Sequence, residues 1–248
     1  MKENITVDRS EIEHFSRMAG EWWDPAGKFR PLHEINPVRL AFIRDHIAAR
    51  FARDTKQSEP FKALSMVDIG CGGGLICEPL SRLGGNVTGI DAASRNIEIA
   101  TLHAQQMELS IDYRAITAEA LGASGQQYDV VLALEIVEHV AHVPAFLKAV
   151  SALVKPGGLL FMSTLNRTFK AHALAIVGAE YILRWLPRGT HTWKKFLKPS
   201  ELVIPLEREG IATQELMGLV FDFPNRSWKL SLKDLDVNYL LVGRKSLT

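Results

Sequence analysis

Glu135, Glu138 and His139 form the densest set of reactive side chains in the sequence. They follow an apolar stretch, Val130 to Leu134, and stand at i, i+3 and i+4. A helical segment at that point sets two carboxylates and an imidazole on one face. The position is the carboxyl end of a strand, beside the crevice where open α/β sheets bind ligands. Two oxygen donors and one nitrogen suit a divalent ion such as Mg²⁺ or Zn²⁺. Alternatively, His139 acts as a general base with Glu135 beside it, since an imidazole pKa of about 6.5 suits proton abstraction at neutral pH. A third reading is plain helix-start hydrogen bonding with no ligand.

A second constellation lies upstream. Val67-Asp68-Ile69-Gly70-Cys71-Gly72-Gly73-Gly74 is an apolar strand running into a glycine-rich loop, and Ile90-Asp91 closes the next strand. Glycine tolerates the positive φ of a tight turn and lets the backbone approach a ligand closely, which marks Gly70 and Gly72 as contact positions. The helix that follows presents unpaired N–H groups to the crevice. Asp91, roughly twenty residues on, is placed to accept hydrogen bonds from both hydroxyls of a ribose. A nicotinamide dinucleotide site asks for glycine at the sixth loop position, which is Leu75 here. The spacing favours S-adenosylmethionine, a nucleoside ligand without a pyrophosphate. Glu119, in Ala118-Glu119-Ala120-Leu121 after the third strand, is a candidate adenine contact, and Leu134 is placed to border the cofactor.

The elements that must hold these residues alternate. Strands are expected at Ser65–Ile69, Val87–Ile90, Ile111–Ala115, Val130–Leu134, Leu159–Thr164, near Ile211–Leu216 and at Val237–Val242. Helices are expected at Ile76–Leu83, Ser94–Met107, Val143–Val154 and Ser200–Glu209, with a turn at Lys155-Pro156-Gly157-Gly158. Short apolar strands separated by helices imply a mostly parallel sheet covered on both faces. The first sixty residues read as a helical extension. Asp8 or Ser10 caps one helix, and Asn36-Pro37 is a start signal for another that carries Leu40, Ile43, Ile47 and Phe51. Residues 166–198 interrupt the alternation as an insert after the fifth strand, and 1–248 reads as a single domain.

Composition narrows the class. With 29 basic and 28 acidic residues the net charge is +1, which argues against a dedicated nucleic-acid binder. The two cysteines, Cys71 and Cys77, sit within one loop and its helix, unlike a secreted disulfide scaffold, so a reduced, cytosolic setting is expected. Met1 to Arg9 lacks the apolar core of a signal peptide. No apolar run reaches the roughly 20 residues needed to span a bilayer.

Several segments together resemble the ubiquinone-biosynthesis O-methyltransferases. They are Trp22-Trp23-Asp24-Pro25, Phe29-Arg30-Pro31-Leu32-His33, Asn36-Pro37-Val38-Arg39, the glycine-rich loop, Glu135-Ile136-Val137-Glu138-His139-Val140 and Ser163-Thr164-Leu165-Asn166-Arg167-Thr168, followed by an insert with Gly189-Thr190-His191. The loop is shared by all class I methyltransferases, whereas the tryptophan pair, Asn-Pro-x-Arg and the insert are more restrictive. The resemblance implies a seven-stranded class I methyltransferase fold, Rossmann-like in its helix-covered sheet. It also implies cofactor contacts at Arg39, Gly70, Asp91 and Leu134, and two O-methylations, of a polyprenyl-hydroxyphenol and of a demethylubiquinol. Arg39 would bind the cofactor carboxylate through two hydrogen bonds; read alone, it is an exposed helix charge. A divalent ion at Glu135, Glu138 and His139 would chelate a catechol and lower its pKa.

Ala171 to Leu186 is strongly apolar, with Leu174, Val177, Tyr181 and Trp185 on one side and the pair Glu180 and Arg184 on another. Arg188, Lys194, Lys195 and Lys198 add positive charge beside Trp185 and Trp193. Such a segment serves as an active-site lid, as a contact with anionic lipid on the inner face of the cytoplasmic membrane, or as both. Other enzymes of ubiquinone synthesis are candidate partners. Competing readings are a methyltransferase of another small molecule and a non-catalytic S-adenosylmethionine-binding subunit of a lipid-biosynthesis complex.

Overall fold

The alternation of apolar residues along the central strands sends successive side chains to opposite faces of one sheet. In a computed structural model describing residues 6–173, 193–222 and 224–247, that sheet has eight strands. They are β1 (Ser65–Ile69), β2 (Asn86–Ile90), β3 (Asp112–Arg114), β4 (Tyr128–Leu134), β5 (Val154–Leu165), β6 (Ile211–Asp222), β7 (Ser227–Ser231) and β8 (Asn238–Lys245), in spatial order β3-β2-β1-β4-β5-β8-β6-β7. The first five are parallel, and β8 enters antiparallel between β5 and β6. The chain leaves β1 toward β2 and β3 on one side and returns to β4 and β5 on the other. That reversal opens the crevice at the carboxyl ends of β1 and β4.

Helices cover both faces. α6 (Val143–Ala152) and α8 (Pro199–Arg208) set Leu147, Val150, Leu202 and Leu206 on Val131, Ala133, Leu160, Met162 and Leu241. On the other face α2 (Arg30–Arg50) and α3 (Cys77–Arg82) set Phe42, Ile43, Ile47 and Leu80 on Val130, Leu132, Phe161, Leu240 and Val242. The remaining helices are α1 (Arg9–Met18), α4 (Ser94–Gln106), α5 (Ala118–Gly122) and a single turn, α7 (Phe169–Ala171).

Three expectations are corrected. The sheet has eight strands rather than seven. β7 is a five-residue edge strand whose Trp228 and Leu230 pack toward α2 while its other residues stay polar. Asn36-Pro37 does not start a helix: α2 begins at Arg30, with Pro31 in its first turn, and continues through Pro37. An interior proline typically costs about 3 kcal/mol, and the buried face formed by Ile35, Arg39, Phe42, Ile43 and Ile47 offsets it. Lys155-Pro156-Gly157-Gly158 is a bulge in β5, where the register with β4 steps from Tyr128↔Val154 to Val130↔Leu159. Asp8 caps α1 as expected, accepting from the Ser10 amide at 3.1 Å. The expected insert helix, with Leu174, Val177, Glu180, Tyr181, Arg184, Trp185, Arg188 and Gly189-Thr190-His191, lies outside the described residues.

Candidate active site

Three glycines of the turn after β1 have a positive φ: Gly70, Gly72 and Gly74. Gly70 has φ +72° and Gly72 φ +53°. A β-carbon on Gly70 would stand 2.7 Å from Ile136 Cδ1, and one on Gly72 would overlap the Trp22 ring. Both positions therefore need glycine for conformation and for space. The amide of Gly72 donates to Asp91 Oδ2 at 3.0 Å, and that of Ala93 to Oδ1 at 2.8 Å. Asp91 thus holds the loop as well as facing the crevice. Burial raises its pKa, with the two amide bonds opposing.

One cavity of about 520 Å³ takes in every expected site residue: Arg39, Gly70, Gly72, Asp91, Glu119, Leu134, Glu135, Glu138 and His139. Arg39 is 2% exposed, so the exposed-charge reading is overturned. Its guanidinium lies 3.6 Å from Glu135, and its Nε is buried with no partner. Burial lowers its pKa against the fields of Glu135, Asp68 and Glu138. Glu119 sits in the first turn of α5, and both its carboxylate oxygens are buried without a hydrogen bond. Orphaned polar atoms of this kind are costly and mark places where a ligand supplies the missing partner. These residues fit S-adenosylmethionine: a guanidinium for its carboxylate, Asp91 for its ribose, and an acceptor at Glu119 for its adenine amine.

The stretch after β4 is not the α-helix that the spacing invited. Glu135 adopts φ +51°, and a 3₁₀ turn covers only Val137–His139. The three side chains therefore diverge. Glu135 accepts from Ser163 Oγ at 2.7 Å and from Asn238 Nδ2 at 3.0 Å. Glu138, 3% exposed, accepts from Thr164 Oγ1 at 2.9 Å through one oxygen, while its Oε1 has no partner. Burial, then the Glu135 charge, raises the pKa of Glu138. His139 turns toward α1, where its Nδ1 lies 3.1 Å from Glu11 Oε2. Burial alone would lower the pKa of His139, but the Glu11 hydrogen bond and the charges of Glu138 and Glu11 together raise it. For Glu11 burial raises the pKa, and the bonds from His139 and Lys195 bring it down to about 2.

Among the described residues no three His, Cys, Asp or Glu side chains converge to hold a metal ion. The donor types of Glu135, Glu138 and His139 suit a divalent cation, and Glu138 Oε1 is an orphan. Their directions, set by Asn238, Thr164 and Glu11, do not form a ligand set.

Two contributors carry no signal in the sequence, and a third, Asp68, is marked only by its place in the loop motif. Glu11 acts across 128 positions, and nothing local to α1 marks it. Asn96, 2% exposed, accepts from Trp22 Nε1 at 3.0 Å and so ties the amino-terminal segment to α4. Asp68, the strand carboxylate before the loop, is 4% exposed; burial pushes its pKa up to about 7, against the Cys77 bond and Arg39. Its position inside the loop motif was the one available signal. Trp22 and Trp23 pack around the loop. Trp22 stacks on Phe29 at 3.6 Å, and Trp23 stacks on His103 at 3.5 Å and donates to the Gly73 carbonyl at 3.0 Å.

Comparison with known proteins places the chain in a family. The sequence profile described as a methyltransferase domain matches residues 38–211. Among solved structures, magnesium protoporphyrin IX methyltransferase from Synechocystis PCC 6803, with bound S-adenosylhomocysteine, superposes with a TM-score of 0.65 at 17% identity, over 96% of this chain and 100% of that one. The same enzyme with bound S-adenosylmethionine gives 0.62. At such identity the likeness establishes the fold. The curated proteins go further. Ubiquinone biosynthesis O-methyltransferase of Brucella anthropi is 55% identical over 97% of this chain and 96% of its own length. That of Bartonella tribocorum is 55% identical over 97% of each. Identity at this level over nearly the whole of both chains leaves one assignment: the chain belongs to the ubiquinone biosynthesis O-methyltransferases, S-adenosylmethionine-dependent enzymes of the class I methyltransferase fold.

Proposed function

We propose that the chain performs both O-methylations of ubiquinone synthesis, on a 2-polyprenyl-6-hydroxyphenol and later on a 3-demethylubiquinol. One observation carries this reading beyond family membership. The same cavity is lined by Asp91 and Glu119, by Glu135 and His139, and by the apolar Leu219, Phe221 and Trp228. A nucleoside, a phenolic ring and the start of a prenyl tail match these three groups of lining residues.

S-adenosylmethionine, when bound, supplies an electrophilic methyl on a sulfonium. The loop backbone at Gly70 and Gly72, with Asp91, Arg39, Glu119 and Leu134, holds that donor in one orientation. His139 would take the proton of the acceptor hydroxyl, with Glu135 elsewhere on the cavity wall, as the methyl passed to oxygen and the C–S electron pair stayed on sulfur. Much of the acceleration comes from alignment of the two reactants in a dry cavity. A finer reading places a divalent cation at Glu135, Glu138 and His139. It is supported by the donor types and by the orphaned Glu138 Oε1, and it requires Glu135 and His139 to turn from their present partners.

The deciding assay is transfer of a labelled methyl group to a short-prenyl catechol and to a short-prenyl demethylubiquinol. Methylation of both is expected. Cofactor binding without transfer to either would instead favour a non-catalytic subunit.

No described helix is long and apolar enough to cross a membrane. The two ends of the insert do meet: Trp193 Nε1 donates to the Thr168 carbonyl at 3.2 Å, and its ring faces Phe169, which is 86% exposed. An exposed phenylalanine beside a half-buried tryptophan, at the base of an apolar, basic insert, supports peripheral contact with anionic lipid, where a polyprenyl substrate resides. Co-sedimentation with anionic liposomes tests it; an intact protein that stays in the supernatant, with and without cofactor, opposes it.

A further inference from the structure

Glu11 lies on α1 and divides its carboxylate between two distant parts of the chain. Oε2 stands 3.1 Å from His139 Nδ1, and Oε1 stands 2.8 Å from Lys195 Nζ. Lys195, near the carboxyl-terminal end of the insert, also reaches Asp8 Oδ2 at 3.1 Å. Phe15, one turn further along α1, sets its ring edge-on to the His139 imidazole, with centroids 5.1 Å apart at 89°. The Ala141 amide, two residues past His139, donates to the Thr6 carbonyl at 2.8 Å. The amino-terminal segment therefore grips His139 by a charge, a ring and a main-chain bond.

We infer that Glu11 is the positioning residue for His139, fixing its tautomer and ring orientation, while Lys195 holds the other oxygen of the same carboxylate. The inference rests on the role proposed above for His139. An ionised carboxylate only accepts hydrogen bonds, so the nitrogen facing it carries the proton. In the neutral ring this leaves the lone pair on Nε2, the nitrogen that receives the hydroxyl proton when oxygen attacks the methyl. The same contact, with the Phe15 ring, fixes the plane of the imidazole, as a buried carboxylate does for a catalytic histidine in other enzymes. Both residues line the cavity, so the pair stands where the acceptor binds. The alternative is an ion pair that only fastens α1 to the body of the protein.

Kinetics and NMR on the full-length protein separate the two. Glu11→Ala is expected to lower kcat roughly ten- to hundredfold, the usual cost of losing a partner that orients a functional histidine, with the KM for S-adenosylmethionine unchanged. Glu11→Gln, which keeps an acceptor oxygen, should recover part of that loss and guards against unfolding of the alanine variant. On a His139→Ala background, Glu11→Ala should cost nothing further. Nitrogen-15 spectra of the apoprotein at alkaline pH should show His139 as the Nδ1–H tautomer, shifting toward Nε2–H in Glu11→Ala. A kcat within error of wild type, or an undiminished loss on the His139→Ala background, overturns the inference. If His139→Ala itself keeps full activity, the base reading falls, and the tautomer measurement alone decides whether Glu11 sets the ring.

Discussion

Trp22 lies on Gly72 so closely that no β-carbon fits between them. The same indole donates to Asn96 at 3.0 Å and stacks on Phe29, while the Gly72 amide donates to Asp91 at 3.0 Å. The amino-terminal segment thus presses on one side of the cofactor loop and Asp91 holds the other. An alanine at 72 must both adopt a left-handed φ, which costs roughly 1–2 kcal/mol, and displace the indole. Gly72→Ala is expected to lower the melting temperature and to weaken S-adenosylmethionine binding by calorimetry, with a change in tryptophan fluorescence. Wild-type affinity in the variant would show that the loop tolerates the movement and that Trp22 does not shape the site.

Arg39 is buried among Glu135, Asp68 and Glu138, with its Nε unpartnered. Its part in cofactor binding is read from the charge it would offer a carboxylate. A hydrogen bond to a charged group is worth roughly 1.5–3 kcal/mol, so Arg39→Ala is expected to weaken cofactor binding by about ten- to a hundredfold. Titration calorimetry with S-adenosylmethionine measures this directly. A homologue of the cofactor lacking the carboxylate should bind wild type and variant alike; a discrimination that survives in Arg39→Ala removes the assigned contact.

These residues also show how much could be read before the fold. β1 matches the expected Ser65–Ile69 residue for residue, and Gly70, Gly72 and Asp91 fall where the motif places them, because strand, turn and acid are encoded within a short window. Arg39 was legible only through resemblance, since the burial of a helix arginine depends on what packs against it. The Glu135 turn was misread because its spacing fits a helix, while Ser163 and Asn238, 28 and 103 positions away, hold it in a left-handed conformation. β7 escaped notice although Trp228 and Leu230 alternate with polar residues. A half-exposed edge strand of five residues carries little hydrophobic signal. Glu11 had no local signature, and its role exists only once α1 is docked.

Asp129 gives a prediction about acid stability away from the site. Its Oδ2 accepts from the Ser65 amide at 2.9 Å, the Ser65 hydroxyl at 2.7 Å and Lys155 Nζ at 2.9 Å, joining β1, β4 and the β5 bulge. Burial would raise its pKa, but the Lys155 and Ser65 bonds outweigh this and lower it. A carboxylate with a depressed folded-state pKa stabilises the fold above its unfolded value of about 3.9 and loses that contribution as pH falls through the folded pKa. Asp129→Asn should therefore be less stable than wild type at neutral pH by about 1–2 kcal/mol, a melting-temperature drop of about 2–8 °C for a chain of this size. The gap should close progressively below about pH 4. Thermal unfolding at a series of pH values checks it, and a gap that stays constant into acid would mean the stabilisation does not come from the ionised carboxylate.

The Glu135, Glu138 and His139 cluster yields the prediction on metal dependence. Glu138 is 3% exposed, and one of its oxygens has no partner. A buried carboxylate left half-satisfied beside a second one is an unfavourable arrangement in the absence of a compensating charge. Arg39 supplies one positive charge, at 3.6 Å from Glu135. A divalent ion would supply more, at the cost of the bonds that Asn238 and Glu11 now make. On that cation reading, activity is lost on exhaustive chelation and restored by Mg²⁺ or Zn²⁺; where Glu11 keeps His139, activity survives chelation. Independently of turnover, either ion should raise the melting temperature of the wild-type apoprotein, because a ligand bound only by the folded state stabilises it by mass action. Glu138→Gln should abolish that rise. Full activity after chelation, together with no thermal response to either ion, would remove the cation from this site and leave His139, held by Glu11, to accept the proton alone.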